Sequence, residues 1–152
     1  MSRNVKLTAF LIWIVLAFAI ILILGSQNWL DYYNLMRNGV LTEGSIIIKE
    51  PESHRRIYYS YFVDEKPYNG LGHGGYGNPS FEKLQIGEKV RVFYLSSNPK
   101  KSCLGNPKEL LENETIFIVL AALFVPSIIV FRYKQLIKKK LSGKQTEQPS
   151  SP

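Results

Sequence analysis

The chain has 152 residues, 45% of them hydrophobic, a formal net charge of +7 and a single cysteine. The excess charge sits at the two ends: Arg3 and Lys6 near the start, and Arg132, Lys134, Lys138, Lys139, Lys140 and Lys144 against Glu147 near the end, while residues 25–114 hold 11 basic and 11 acidic side chains. A neutral middle offers no basic surface for phosphates, which argues against a nucleic-acid partner, and one cysteine excludes a disulfide framework.

Residues 1–6 read as a short basic N-terminus. Residues 7–24, LTAFLIWIVLAFAIILIL, carry no charge, and Thr8 is their only polar side chain. At 1.5 Å per residue such a helix spans about 27 Å, close to the hydrocarbon core of a bilayer. A cleaved signal has a shorter apolar region followed by small residues, and Ile23–Gln27 offers no such site. A surface helix would keep a polar face, and this one has none. The stretch is predicted to be a first transmembrane helix.

Residues 25–38 should continue that helix, with Trp29, Tyr32 and Tyr33 at the membrane interface. The spacing puts Leu30, Tyr33, Asn34 and Arg37 on one face. Gly39 is placed as a left-handed helix stop.

A β-domain is expected over 39–106. Leu41–Lys49 reads as a strand, Pro51–Ser53 as a break. In the strand Arg55–Asp64, Ile57, Tyr59, Tyr61 and Val63 face one way, and Tyr58, Ser60 and Phe62 the other. Asp64–Lys66 turns, and Pro67 opens a short strand, Tyr68–Leu71. Leu71–Ser80 is glycine-rich and reads as a mobile loop. Lys89–Tyr94 is the last clear strand, with Val90, Val92 and Tyr94 on one face. Ser96–Pro99 ends it, and Ser102–Gly105 reads as a compact turn. Four to five strands suit a small antiparallel sheet or partly closed barrel, with Tyr61 and Val92 in its core.

Asn106 can cap a short helix or linker over 107–114, with Pro107 first and Glu109 in the first turn. Thr115–Phe131 is a second uncharged run, interrupted only by Pro126. With Arg132 and Tyr133 at its end it gives a second span, 115–133. Residues 134–152 read as a basic, disordered tail. The fold class expected is therefore an α+β membrane protein, two transmembrane helices flanking a small β-domain. Basic flanks on both spans place both termini in the cytoplasm of a cell-membrane protein and residues 25–114 outside it.

The ordered set Asn38-Gly39, Thr42-Glu43-Gly44, Tyr59-Ser60-Tyr61-Phe62-Val63-Asp64, Tyr68-Asn69-Gly70, Val90-Arg91-Val92-Phe93-Tyr94 and Asn98-Pro99 with Ser102-Cys103-Leu104 resembles the membrane-protein family catalogued as domain of unknown function 3592. The resemblance implies a small β-domain between two spans and carries over no catalytic residue. It leaves the motif residues with structural roles.

Chemistry is sparse. Gly70-Leu71-Gly72-His73-Gly74-Gly75 matches G-x-G-x-x-G, but a dinucleotide site needs a helix to open there, and more glycines follow. His54 and His73 are the only histidines, and Glu50 and Glu52 beside His54 make at most a loose surface cluster. Cys103 has no base in its sequence neighbourhood and reads as a buried small hydrophobe. Tyr58, Tyr59 and Tyr61 fit sheet packing better than base stacking. Asn113-Glu114-Thr115 matches a glycosylation acceptor by chance, beside the second span. No catalytic, cofactor-binding or metal residue is assigned, and no cofactor is expected.

The reading is a non-enzymatic binding or accessory module, with strand addition at an open sheet edge as one mode. Its partners are the bilayer and a protein of unknown identity, with a homo-oligomer also open. The alternative is a structural or regulatory subunit acting through its spans, where Ala17, Ala19, Ala121, Ala122 and Ser127 allow close helix approach or simply pack the chain's own helix pair.

Overall fold

The computed structural model describes residues 3–145. Three helices and five strands follow one another: α1 (Arg3–Leu24), a π-helical turn (Gly25–Trp29), α2 (Leu30–Asn38), β1 (Gly39–Glu50), β2 (Arg56–Val63), β3 (Lys66–Gly72), β4 (Lys89–Leu95), β5 (Asn98–Leu104) and α3 (Pro107–Gln145). They form two compact units. One is Ser26–Ile116; the other takes in the described residues of Met1–Gly25 and Phe117–Pro152.

In the first unit the strands form one antiparallel sheet ordered β3-β2-β1-β4-β5. The fourth strand returns beside the first, which is a Greek key. The sheet curls until β3 lies against β5, leaving a nearly closed barrel. Asp64 and Glu65 both have positive φ, 49° and 64°, so the β2–β3 hairpin turns on two left-handed residues, whose backbone twist suits paired strands.

The interior is built from the faces the alternation predicts. Ile57, Tyr59 and Tyr61 from β2 and Val90 and Val92 from β4 are buried with Ile46 and Leu104, and Leu84 from the β3–β4 connection packs among them. Of the three successive isoleucines in β1, only Ile46 is buried. A bulge between Ile46 and Ile48 breaks the alternation and leaves Ile47 and Ile48 40% and 48% exposed.

Four local expectations are corrected. Gly39 is extended (φ −72°, ψ 138°), not left-handed, and α2 passes straight into β1. Its lack of a side chain serves space, because a Cβ would overlap the carbonyl of Leu35. The buried residue of α2 is Leu35, while Leu30 is 53% exposed. Leu35 packs with Leu95 and Cys103, flanked by Tyr32, Phe93 and Leu110. The inward face of α2 is thus chosen by the sheet it covers, which helical spacing alone could not reveal.

Asn98–Leu104 is a full fifth strand rather than an end and a turn. It lacks alternation because it is an edge strand, with Pro99 and two lysines, as β3 carries Pro67. Residues 107–114 are the opening turns of one helix that runs unbroken through Pro126 to Gln145. The backbone from 134 to 145 is therefore helical where a disordered tail was expected; residues 146–152 lie outside the described residues.

In the second unit, α1 and α3 are long and apolar enough to cross a membrane. Ala9 and Ala17 are buried on α1, with half-buried Trp13 midway between them, and Ile118, Ala122, Pro126 and Val130 are buried on α3 at four-residue spacing. Trp13 Nε1 donates to Ser127 Oγ at 3.0 Å between them. Alanine at 9, 17 and 122 lets the helices approach closely at those positions.

Candidate functional site

Two tyrosines hold β5 to the barrel. The Tyr59 hydroxyl lies 2.9 Å from Ser102 Oγ, and the Tyr61 hydroxyl donates to the Pro99 carbonyl. Both start on β2 and reach β5 from across the interior. Burial pushes the ionisation of Tyr59 and Tyr61 upward, so both hydroxyls stay protonated. Asn98-Pro99 and Ser102-Cys103-Leu104 are therefore the far anchor of the tyrosine run in β2.

Cys103 is buried, and its Sγ lies 3.5 Å from the Gly105 carbonyl. Desolvation pushes its thiol up to about 12, which removes the thiolate at neutral pH. Tyr32, in the same cluster, is also pushed up to about 12, chiefly by burial, with Glu114 adding to it.

The connection between β3 and β4 is tied down, contrary to the mobile loop expected. Asn78 uses both ends of its amide on the backbone of Arg91: Nδ2 donates to the carbonyl at 3.0 Å, and the Arg91 N–H donates to Oδ1 at 2.8 Å. The Asn106 N–H donates to the Tyr76 carbonyl at 2.6 Å, and the Gly75 N–H to the Pro79 carbonyl at 2.8 Å. Gly105 is left-handed (φ +87°), and a Cβ there would strike the Tyr76 carbonyl. This is where glycine is required both by conformation and by space.

The held loop stands beside β1 and β4 and leaves an open cleft of about 500 Å³, lined by Thr42, Glu43, Asn78, Lys89 and Arg91 among others. Lys89 Nζ lies 2.5 Å from Glu43 Oε1, with both side chains well exposed. Arg91 is exposed on the same face and takes part in none of the ion pairs among the described residues. The cleft thus presents one neutralised pair and one further cation, an arrangement that favours an acidic or hydrogen-bond-accepting group.

Sequence alone points to none of these residues as a binding site, although Thr42, Glu43 and Arg91 belong to the set that carries the family resemblance. The glycine-rich composition of the loop hid Asn78, whose Asn-Pro pair is only a weak turn signal. Alternation puts Lys89 and Arg91 opposite the face of Val90, Val92 and Tyr94, and their convergence with the loop depends on tertiary structure.

The residues weighed for chemistry are dispersed. Gly70 and Gly72 lie within β3, where a Cβ would press on the ring of Tyr59 and, at 2.7 Å, on Leu104, and no helix opens after Gly75. Their glycines serve close packing. His54 and His73 are exposed in different connections. Among the described residues no three His, Cys, Asp or Glu side chains gather into a group that could hold a metal ion. Tyr59 and Tyr61 are buried, which leaves no paired stacking platform with Tyr58. In the acceptor-like triplet, Asn113 Nδ2 donates to the Tyr76 hydroxyl at 3.3 Å, and Thr115 Oγ1 receives Trp29 Nε1 at 2.9 Å and donates to Leu111.

A family model matches the barrel. Residues 38–109 match the family model described as domain of unknown function (DUF3592). No curated protein and no solved structure matches the chain. The DUF3592 match begins where α2 gives way to β1 and ends in the first turn of α3, so it covers the whole barrel. The two long apolar helices flank it. The residues that carry the resemblance fall inside that match: the V-R-V-F-Y of β4 and the N-P and S-C-L of β5 lie on paired neighbouring strands.

Proposed function

We propose that this is a two-span membrane protein whose barrel is a non-enzymatic binding module. The termini lie in the cytoplasm and the barrel outside the cell membrane. The observation that carries the binding role is the cleft: a loop fixed by Asn78 holds open a concave surface, with Lys89 exposed in its pair with Glu43 and Arg91 exposed and outside the ion pairs among the described residues. Strand addition is less favoured, because the edge strands β3 and β5 lie against each other and each carries a proline. A role acting through the spans is also less favoured. Ala17, Ala122 and Ser127, which could have served another helix, are engaged between α1 and α3.

Two experiments test this reading. The full chain, extracted in mild detergent, should retain a partner that Lys89→Glu/Arg91→Glu loses without a change in its melting temperature. Loss instead on Phe18→Ala or Phe124→Ala, at exposed helix positions, would favour the subunit role. For topology, a Cys103→Ala background should carry one new cysteine at His73 or at Ser142. An impermeant maleimide added to intact cells should label His73→Cys and spare Ser142→Cys; the reverse pattern would place the barrel in the cytoplasm.

A further inference from the structure

The helix α3 does not stop at the end of its apolar stretch. It continues as helix through the cationic segment to Gln145. Arg132, Lys134 and Lys138 are exposed, and none takes part in an ion pair among the described residues. The sequence adds lysine at positions 139, 140 and 144, with no acidic residue before Glu147. From these observations we infer that the segment is a collar for anionic phospholipid headgroups at the membrane surface. The inference rests on α1 and α3 crossing a bilayer.

Geometry favours a lipid over a protein partner. At about 100° per residue, Lys134 and Lys138 share one side of the helix and Arg132 lies nearly opposite. A protein groove reads one side of a helix, whereas a headgroup layer surrounds it. Height agrees as well. Arg132 to Lys138 rises about 9 Å. The headgroup layer of one leaflet is about 5–7 Å deep, and long cationic side chains bend toward it. All three charges therefore fall within about one Debye length of the lipid phosphates. Tyr133 and Leu136, 39% and 67% exposed between the cations, supply apolar contacts at the same depth. Lys6 is exposed near the start of α1. The sequence separation of helix contacts falls from 114 at Trp13–Ser127 to 86 at Trp29–Thr115, as between antiparallel helices, so Lys6 joins the same end of the pair.

The test uses the full chain in nanodiscs of phosphatidylcholine, with trace spin-labelled phosphatidylglycerol or phosphatidylcholine. Electron paramagnetic resonance reads which lipid is immobilised against the protein. At low salt, phosphatidylglycerol should associate at least about fivefold more strongly, since each juxtamembrane cation contributes a factor of that order. The preference should fall toward parity in high salt and in Arg132→Gln/Lys134→Gln/Lys138→Gln. It should survive exchange of chloride for phosphate at equal ionic strength. A disc exposes both leaflets, so a variant inserted the other way round is read identically. Equal association of the two lipids with the native chain overturns the collar, as does a preference that the triple variant keeps. Loss specific to phosphate buffer would assign the cations to a free anion instead. Failure of the chain to enter discs overturns the two-span reading and the collar with it, whereas entry without preference overturns the collar alone.

Discussion

In the barrel, the side chains removed from their surroundings are large: Tyr59, Tyr61, Ile46, Ile57 and Leu84. In the helix pair they include the smallest, Ala9, Ala17 and Ala122, while Phe10, Phe18, Phe117 and Phe124 stand about 60% exposed. The barrel buries tyrosines and large aliphatic side chains, whereas the helix pair leaves these phenylalanines outside and buries alanine beside Ile118, Pro126 and Val130. In water, folding is driven by hiding large apolar surface, so large residues go inside. In hydrocarbon that drive vanishes, and close packing of small residues brings helices together. The contrast agrees with the two-span reading proposed above.

The comparison breaks most visibly at Tyr61. Truncating it to alanine should destabilise the barrel by about 3–5 kcal/mol. The measurement is limited proteolysis of the detergent-solubilised full chain, with Phe62→Ala, 64% exposed on the opposite face, as the neutral control. Unchanged resistance in Tyr61→Ala would invert the assigned faces.

The helix pair should respond to enlargement rather than truncation. Ala122→Leu forces bulk into the α1–α3 contact and should cost about 1–3 kcal/mol, whereas Leu123→Ala, 48% exposed next to it, should cost little. Thermal unfolding monitored at Trp13 would read both. Equal effects would mean that small residues do not set the contact.

A pH dependence sharpens the contrast, because Cys103 belongs to the barrel unit alone. Its folded value is raised from 9.0 to about 12, so the thiol stays protonated in the fold while the unfolded chain ionises. The group's stability contribution is fully present below about pH 9 and is lost as pH rises toward 12. At pH 10 the loss should be about 1 kcal/mol, absent in Cys103→Ala, by denaturant titration at pH 8 and pH 10. An identical pH response in that variant would refute the assignment.

Tyr59→Phe should have the smallest effect, about 1 kcal/mol, since it removes only the hydroxyl that meets Ser102. Addition of Ser102→Ala to it should cost little more. Full additivity of the two would mean that the hydroxyls act separately.

Periodicity carried much of this structure. Two runs of apolar residues without charge could only be long buried or membrane-held helices, because no polar face remained to meet water. Alternation in RIYYSYFV placed Tyr59 and Tyr61 inward, since a strand's period of two leaves no other choice once one face is buried. Cys103 could be read as buried because no base or second thiol stood near it in the chain. Alternation is silent where both faces of a strand are covered. Phe93 and Leu95 pack under α2 while Val90 and Val92 line the barrel, so β4 reads as nearly continuous apolar residues. Edge strand β5 shows no pattern for a different reason: its stability comes from partners far away in sequence, the hydroxyls of Tyr59 and Tyr61.

What only tertiary structure decided were relations between residues that the chain order keeps apart. Leu35 rather than Leu30 became the inner face of α2, because Leu95 and Cys103 lay beneath it. The cleft exists because Asn78 bonds the backbone of Arg91 and turns a glycine-rich stretch into a fixed wall. Local sequence encodes propensities of neighbouring residues; the candidate site is made by one amide closing on a strand 13 positions away.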